Sequence, residues 1–189
     1  MEQFKQDIAE FVKKFKFDTD EMTRSHKDFR QSLLKEEFEE TRQALIDLDA
    51  EEYVDGCIDM LVVSLGNLNL YGSHPKSTHL VDLHSTTLDQ SFIRIASKTY
   101  KAVQSANIGK FDSEYVQQLS NLVEIIIEHL HYYNVDVVKA WNEVHRANMS
   151  KVRGCKPGRA SSGADVYKPE GWVGPSHVGN HGDFAEIMG

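Results

Sequence analysis

Two short runs of carboxylates hold most of the chemistry in this sequence. LLKEEFEETRQAL carries Glu36, Glu37, Glu39 and Glu40, and AEEYVDGCIDMLVV carries Glu51, Glu52, Asp55 and Asp59. Side chains three or four positions apart share a helix face. Glu37 and Glu40 are so related, and so are Glu36 and Glu40. Glu52, Asp55 and Asp59 fall within about 60° of arc at about 100° per residue. A short linker between the runs makes their helices antiparallel neighbours, with both clusters facing one seam. Each like-charge pair at i,i+4 costs roughly 0.2–0.5 kcal/mol, and more when the carboxylates are buried together. A divalent cation offsets that cost. Mg²⁺ takes oxygen ligands and commonly bridges carboxylates to phosphates. Spacing alone leaves two readings open, a Mg²⁺ site between helices or an acidic face turned to water. Glu39 and Glu51 lie off the shared faces and fit the second.

Other chemistry is thinner. Glu128 and His131 form one ExxH pair, whereas a carboxylate di-iron bundle uses two. Cys57 and Cys155 are the only cysteines. Two support neither a disulfide framework nor a CxxC zinc site, so a reducing, cytoplasmic setting is expected, with Cys57 in the core. No Ser, Cys or His arrangement offers a covalent nucleophile.

These acids need rigid helices to hold them. Phe4, Ile8, Phe11, Val12 and Phe15 make a 3.6-period stripe over residues 2–15. A second helix is expected over Lys27–Asp47, with Leu34, Phe38, Thr41, Leu45 and Leu48 as its seam. A third covers Glu51–Tyr71, built on Val54, Ile58, Leu61 and Leu65, and ends at the Gly-Ser-His-Pro that follows. Thr87–Asn107, Glu114–Tyr132 (capped by Ser113) and Val135–Lys151 complete the set. The last is expected to bury Val138, Trp141, Val144 and Met149. Residues 154–189 hold eight of the 12 glycines and three of the four prolines, so they read as loop or extended chain. The expectation is an all-α bundle of about five to six helices over residues 1–153, with a Gly/Pro-rich tail over 154–189 partly packed on it.

Composition narrows the partners. The chain has 189 residues, 40% of them hydrophobic, and a net charge of −8. That balance argues against a nucleic-acid polymer as partner, and no apolar run reaches the roughly 18–20 residues of a membrane helix. A small anion remains compatible, since a bound cation inverts the local field.

With these residues in view, the sequence resembles the all-α nucleoside triphosphate pyrophosphohydrolases, the MazG-like and phosphoribosyl-ATP pyrophosphatase-like superfamily. The ExxE of Glu37–Glu40 and the ExxD of Glu52–Asp55 match its two acidic motifs, and Glu36 matches the doubled glutamate often seen there. DGCIDMLVVSLG (Asp55–Gly66) and WNEVHRANMSK (Trp141–Lys151) are similar to segments of the phage-type branch, as is the glycine-rich tail. The resemblance implies hydrolysis of a nucleoside triphosphate to a monophosphate and pyrophosphate. Glu37, Glu40, Glu52 and Asp55 would hold Mg²⁺, or Mn²⁺ in its place, and Glu36 would bind a second ion or act as general base. Asp59, Arg146, Asn148, Lys151 and Lys168 are the candidates for the substrate side. The long stretch from Gly72 to His131 does not align, so the base preference stays open between purine deoxynucleotides such as dGTP and dUTP or dCTP. A catalytically degenerate nucleotide-binding protein is the non-enzymatic alternative. Relatives build sites from several subunits, which implies a homodimer or homotetramer.

Overall fold

The computed structural model describes residues 1–15, 24–73, 87–105, 113–154 and 166–188. Among them are seven helices: α1 (Glu2–Phe15), α2 (Arg24–Asp47), α3 (Ala50–Leu70), α4 (Leu88–Ser105), α5 (Ser113–Tyr132), α6 (Val137–Met149) and α7 (Phe184–Met188). The only strands among these residues are β1 (Val152–Arg153) and β2 (Val166–Tyr167), paired antiparallel with Val152 opposite Tyr167. The fold is all-α, and no described helix is long and apolar enough to cross a membrane.

α3 is the central element. Tyr53, Val54, Cys57, Ile58, Met60, Leu61 and Leu68 are all fully buried, and α1, α2, α5, α6 and α7 all touch it. It begins sharply because the Asp49 carboxylate accepts from the amides of Glu51 and Glu52, both at 3.1 Å, which satisfies two otherwise free helix-end donors.

α2 lies antiparallel to α3, as its contacts show. Arg30 bonds Asn67 at 3.2 Å near one end, and Thr41 meets Gly56 further along. A Cβ at Gly56 would sit 2.4 Å from Thr41 Oγ1 and 3.0 Å from Thr41 Cα. Only glycine permits so close an approach. The Thr41 hydroxyl is satisfied within its own helix, donating to the Glu37 carbonyl at 2.7 Å.

Three sequence expectations need correction. Leu48 does not join the α2 seam. It has φ +59° and is 60% exposed, because it follows the last helical turn in the left-handed conformation that stops a helix; Ala44, one turn earlier, is the last buried apolar residue of α2. On α6 the buried positions are Val137, Ala140, Trp141, Val144, Ala147 and Asn148, while Val138 is 49% exposed and Met149 half-buried. Asp136 caps that helix through Lys139 N at 3.0 Å and so sets its rotation. The C-terminal tail contains α7, which its glycine-rich composition hides.

Residues 166–188 run across α6, α3 and α5 as a strap. Trp172 Nε1 donates to the Ala147 carbonyl at 2.9 Å, and Arg146 donates to the Gly174 carbonyl at 2.8 Å. The Asn180 amide accepts from Asp136 N and donates to Asp136 O, both at 3.0 Å. Phe184 wedges between Tyr53, His129 and Tyr133, with ring centroids at 4.9, 5.4 and 4.7 Å.

Candidate active site

The α2–α3 seam brings the two acidic runs together. On α2, Glu36 and Glu40 are exposed and Glu37 is half-buried; on α3, Glu52 is exposed while Asp55 and Asp59 are half-buried. Burial, then Asp59, Glu40 and Glu36, push the Glu37 carboxyl up to about 8, with Lys151 pulling the other way. Asp59 is pushed up to about 7 by burial first, then by Asp55 and Glu40, with Lys151 and Lys168 opposing. Glu52 is raised as well, by burial and then by Asp55, Asp49 and Glu40, against His177. Each named neighbour is within electrostatic reach, so Glu36, Glu37, Glu40, Glu52, Asp55 and Asp59 share one field. Burial is the first cause in all three, and the neighbouring carboxylates add to it.

Two lysines face that field. Lys151, just past the end of α6, is lowered by burial and by Lys168 and held up by Asp59, Glu37 and Asp55. Lys168 follows β2. Both ammonium groups lie over the Trp172 ring, at 5.8 and 4.4 Å from its centroid. That placement costs little, since the ring face attracts cations. The β1–β2 pair thus carries the two lysines to one edge of the acid cluster.

The other sequence candidates are elsewhere. Arg146 is committed to Glu143 at 2.9 Å and to the Gly174 carbonyl, so it fastens the strap rather than facing the acids. Asn148 is buried, and its carbonyl accepts from Lys151 N at 3.2 Å. Glu39 pairs with Arg42 at 2.9 Å on the solvent side. Cys57 is fully buried, which pushes its thiol up to about 12. Cys155 lies outside the described residues.

Sequence reasoning missed His177. It is 2% exposed, and its Nε2 lies 3.1 Å from Asp55 Oδ1. A histidine 122 positions away in a glycine-rich tail gives no local signal. A second cluster was missed too. Asp7, Glu10 and His145, on α1 and α6, each offer one ligand atom within 4.8 Å of the others. This triad has the capacity to hold a divalent metal. Asp7 also accepts from Trp141 Nε1 at 2.8 Å, and Trp141 stacks on Phe4 at 4.3 Å, so the same residues fasten α1 to α6.

Comparison with known families falls on the acidic helices. Residues 1–78 match the phosphoribosyl-ATP pyrophosphohydrolase family model. That stretch contains Glu36, Glu37, Glu40, Glu52, Asp55 and Asp59, and this family lies within the all-α pyrophosphohydrolase superfamily that the two motifs resemble. α4 to α7, both lysines and His177 lie beyond the match. No curated protein and no solved structure matches the chain.

Proposed function

We propose that the protein is a Mg²⁺-dependent nucleoside triphosphate pyrophosphohydrolase that cleaves between the α and β phosphates, giving a nucleoside monophosphate and pyrophosphate. The observation that carries this reading is the shared field of Glu37, Glu40, Glu52, Asp55 and Asp59 with Lys151 and Lys168 at its edge. An all-oxygen donor set suits Mg²⁺ or Mn²⁺, and the raised Glu37 and Asp59 carboxyls are those a divalent cation would return to the charged form. The cation's chemistry is to neutralise phosphate charge and lower the pKa of water.

The chain's own residues do the rest. Glu37, Glu40, Glu52 and Asp55 hold the cation, and Asp59 supports them from one turn further along α3. Lys151 and Lys168 bind phosphate oxygens and orient the leaving pyrophosphate. Water attacks phosphorus, its oxygen forms the new P–O bond, and the bridging P–O bond breaks with pyrophosphate departing. The water's proton passes to Glu36, exposed at the rim of the cluster. Asp7, Glu10 and His145 form the alternative metal site, whose imidazole donor suits Mg²⁺ less well than an all-oxygen set does.

Purine deoxynucleotides such as dGTP are the proposed substrates, on the strength of the phage-like VHRANMSK block; dUTP or dCTP is the alternative. A homodimer or homotetramer is proposed as the working form. Ile93, Tyr100 and Val138, 64%, 55% and 49% exposed, support it as apolar surface for a second copy. A panel of NTPs, dNTPs and phosphoribosyl-ATP, with products resolved by chromatography, tests the reaction. Monophosphate and pyrophosphate are expected with Mg²⁺ and none in EDTA; a diphosphate with orthophosphate would overturn the assignment.

A further inference from the structure

His177 sits where the strap crosses the acid cluster, and nothing in the acidic motifs calls for it. Its imidazole is 2% exposed, and Asp55, its partner at 3.1 Å, is 24% exposed. Whatever the charge of the ring, Nε2 must carry hydrogen to serve a carboxylate oxygen. His177 Nδ1 is buried with no hydrogen-bond partner, so the contact with Asp55 is the ring's polar anchor among the described residues.

The backbone around it is pinned on both sides. Upstream, Trp172 and Gly174 are tied to Ala147 and Arg146. Downstream, the His177 carbonyl accepts from Asn180 N at 2.8 Å, the Asn180 amide grips Asp136, and Asp183 N donates to the Tyr133 carbonyl at 2.8 Å. With chain fixed at either end, the imidazole has little freedom to leave Asp55. A docked strap needs none of this at position 177, since its other anchors already hold it.

We propose that His177 is a positioning residue for Asp55: its Nε2–H commits Oδ1, fixes the carboxylate's rotation, and leaves Oδ2 as the oxygen with which Asp55 meets a divalent cation. The proposal rests on the cation-site reading above. Hydrogen-bonded partners of metal ligands typically change metal affinity or activity by about 10–100-fold when removed.

The test is Mn²⁺ binding to the whole chain, followed by electron paramagnetic resonance, with the dependence of kcat and KM on Mn²⁺ measured beside it. His177→Leu is expected to weaken Mn²⁺ binding about 10–100-fold, with kcat recovering as Mn²⁺ is raised and the nucleotide KM at saturating Mn²⁺ nearly unchanged. His177→Gln, which keeps an N–H donor at similar reach, is expected to stay within a few-fold of the parent. Val178→Ser, at a 70% exposed neighbour, is expected to match the parent and controls for disturbance of the strap. Parent-like Mn²⁺ affinity in His177→Leu would overturn the proposal while leaving the metal reading intact. Equal losses in His177→Gln and His177→Leu would also overturn it, since the donor would then be irrelevant. A parent protein that binds no Mn²⁺ would overturn both.

Discussion

Among single residues, Glu37 carries the most consequence. Its folded-state carboxyl is raised to about 8 by burial and by Asp59, Glu40 and Glu36. Between the ordinary glutamate value and that point the metal-free native state holds a proton that the unfolded chain has lost. Stability therefore falls as pH rises through this window. Urea unfolding in EDTA between pH 5 and 9 should show this decline, and Glu37→Gln should flatten it while lowering turnover at least about a hundredfold. Added Mn²⁺ should restore stability to the parent at the alkaline end and do little for the variant. Glu40→Gln should likewise abolish activity and keep the fold, as read by product chromatography and circular dichroism. The acids were legible in the sequence because helical spacing places them. His177 was not, because only tertiary docking of the strap brings it to Asp55.

Among elements, the α2–α3 seam decides whether the acids meet. Gly56→Ala replaces a poor helix former with the best one, a gain of about 1 kcal/mol. The new methyl would collide with Thr41, including its backbone Cα at 3.0 Å, and overpacking of this kind costs about 1–3 kcal/mol. The expected net result is a lower melting temperature together with weaker Mn²⁺ binding, because the helices must part at the site. Asp49→Ala should cost about 1 kcal/mol through loss of the α3 cap, with little change in metal affinity; chemical denaturation and Mn²⁺ titration separate the two. Most helix positions were readable from apolar period alone. The departures, Leu48 and Val138, sit at helix ends, where a left-handed residue or a cap sets the rotation and period carries no information. α7 escaped because five residues are too few to show a period.

For the whole molecule, the C-terminal strap and the buried histidine set the limits of stability. Burial pushes His129 down to about 3, and its Nε2 lies 2.8 Å from the Tyr53 hydroxyl. As pH falls from the ordinary histidine value toward 3, the unfolded chain takes up a proton that the native one excludes, so stability drops. Glu37 and Asp59 act in the opposite sense from the ordinary carboxylate range up to about 8 and about 7, and where the windows overlap the two carboxyls outweigh the one histidine. From these groups the metal-free protein should be most stable at about pH 4 and lose stability on either side, which a melting series across pH 3–9 checks. Phe184→Ala should cost about 3–5 kcal/mol, since the ring is fully buried against Tyr53, His129 and Tyr133. It should also loosen the strap, read as faster cleavage by a glutamate-specific protease after Glu170 and Glu186, both exposed.

The strap also imposes a birth order. Residues 166–188 are translated after every helix they lie on, and the His177–Asp55 contact closes a span of 122 positions. Such a closure is entropically dear and comes late. A ribosome that has reached Arg153 has already released α2 and α3, which carry the carboxylates of the seam, but neither Lys168 nor His177 exists yet. The nascent bundle can form its acidic groove early while lacking Lys168, one of the two lysines proposed to bind phosphate, and His177, proposed to steady Asp55. On the proposed function, competence for turnover waits until residues 166–188 have been made and have docked on the helices already formed.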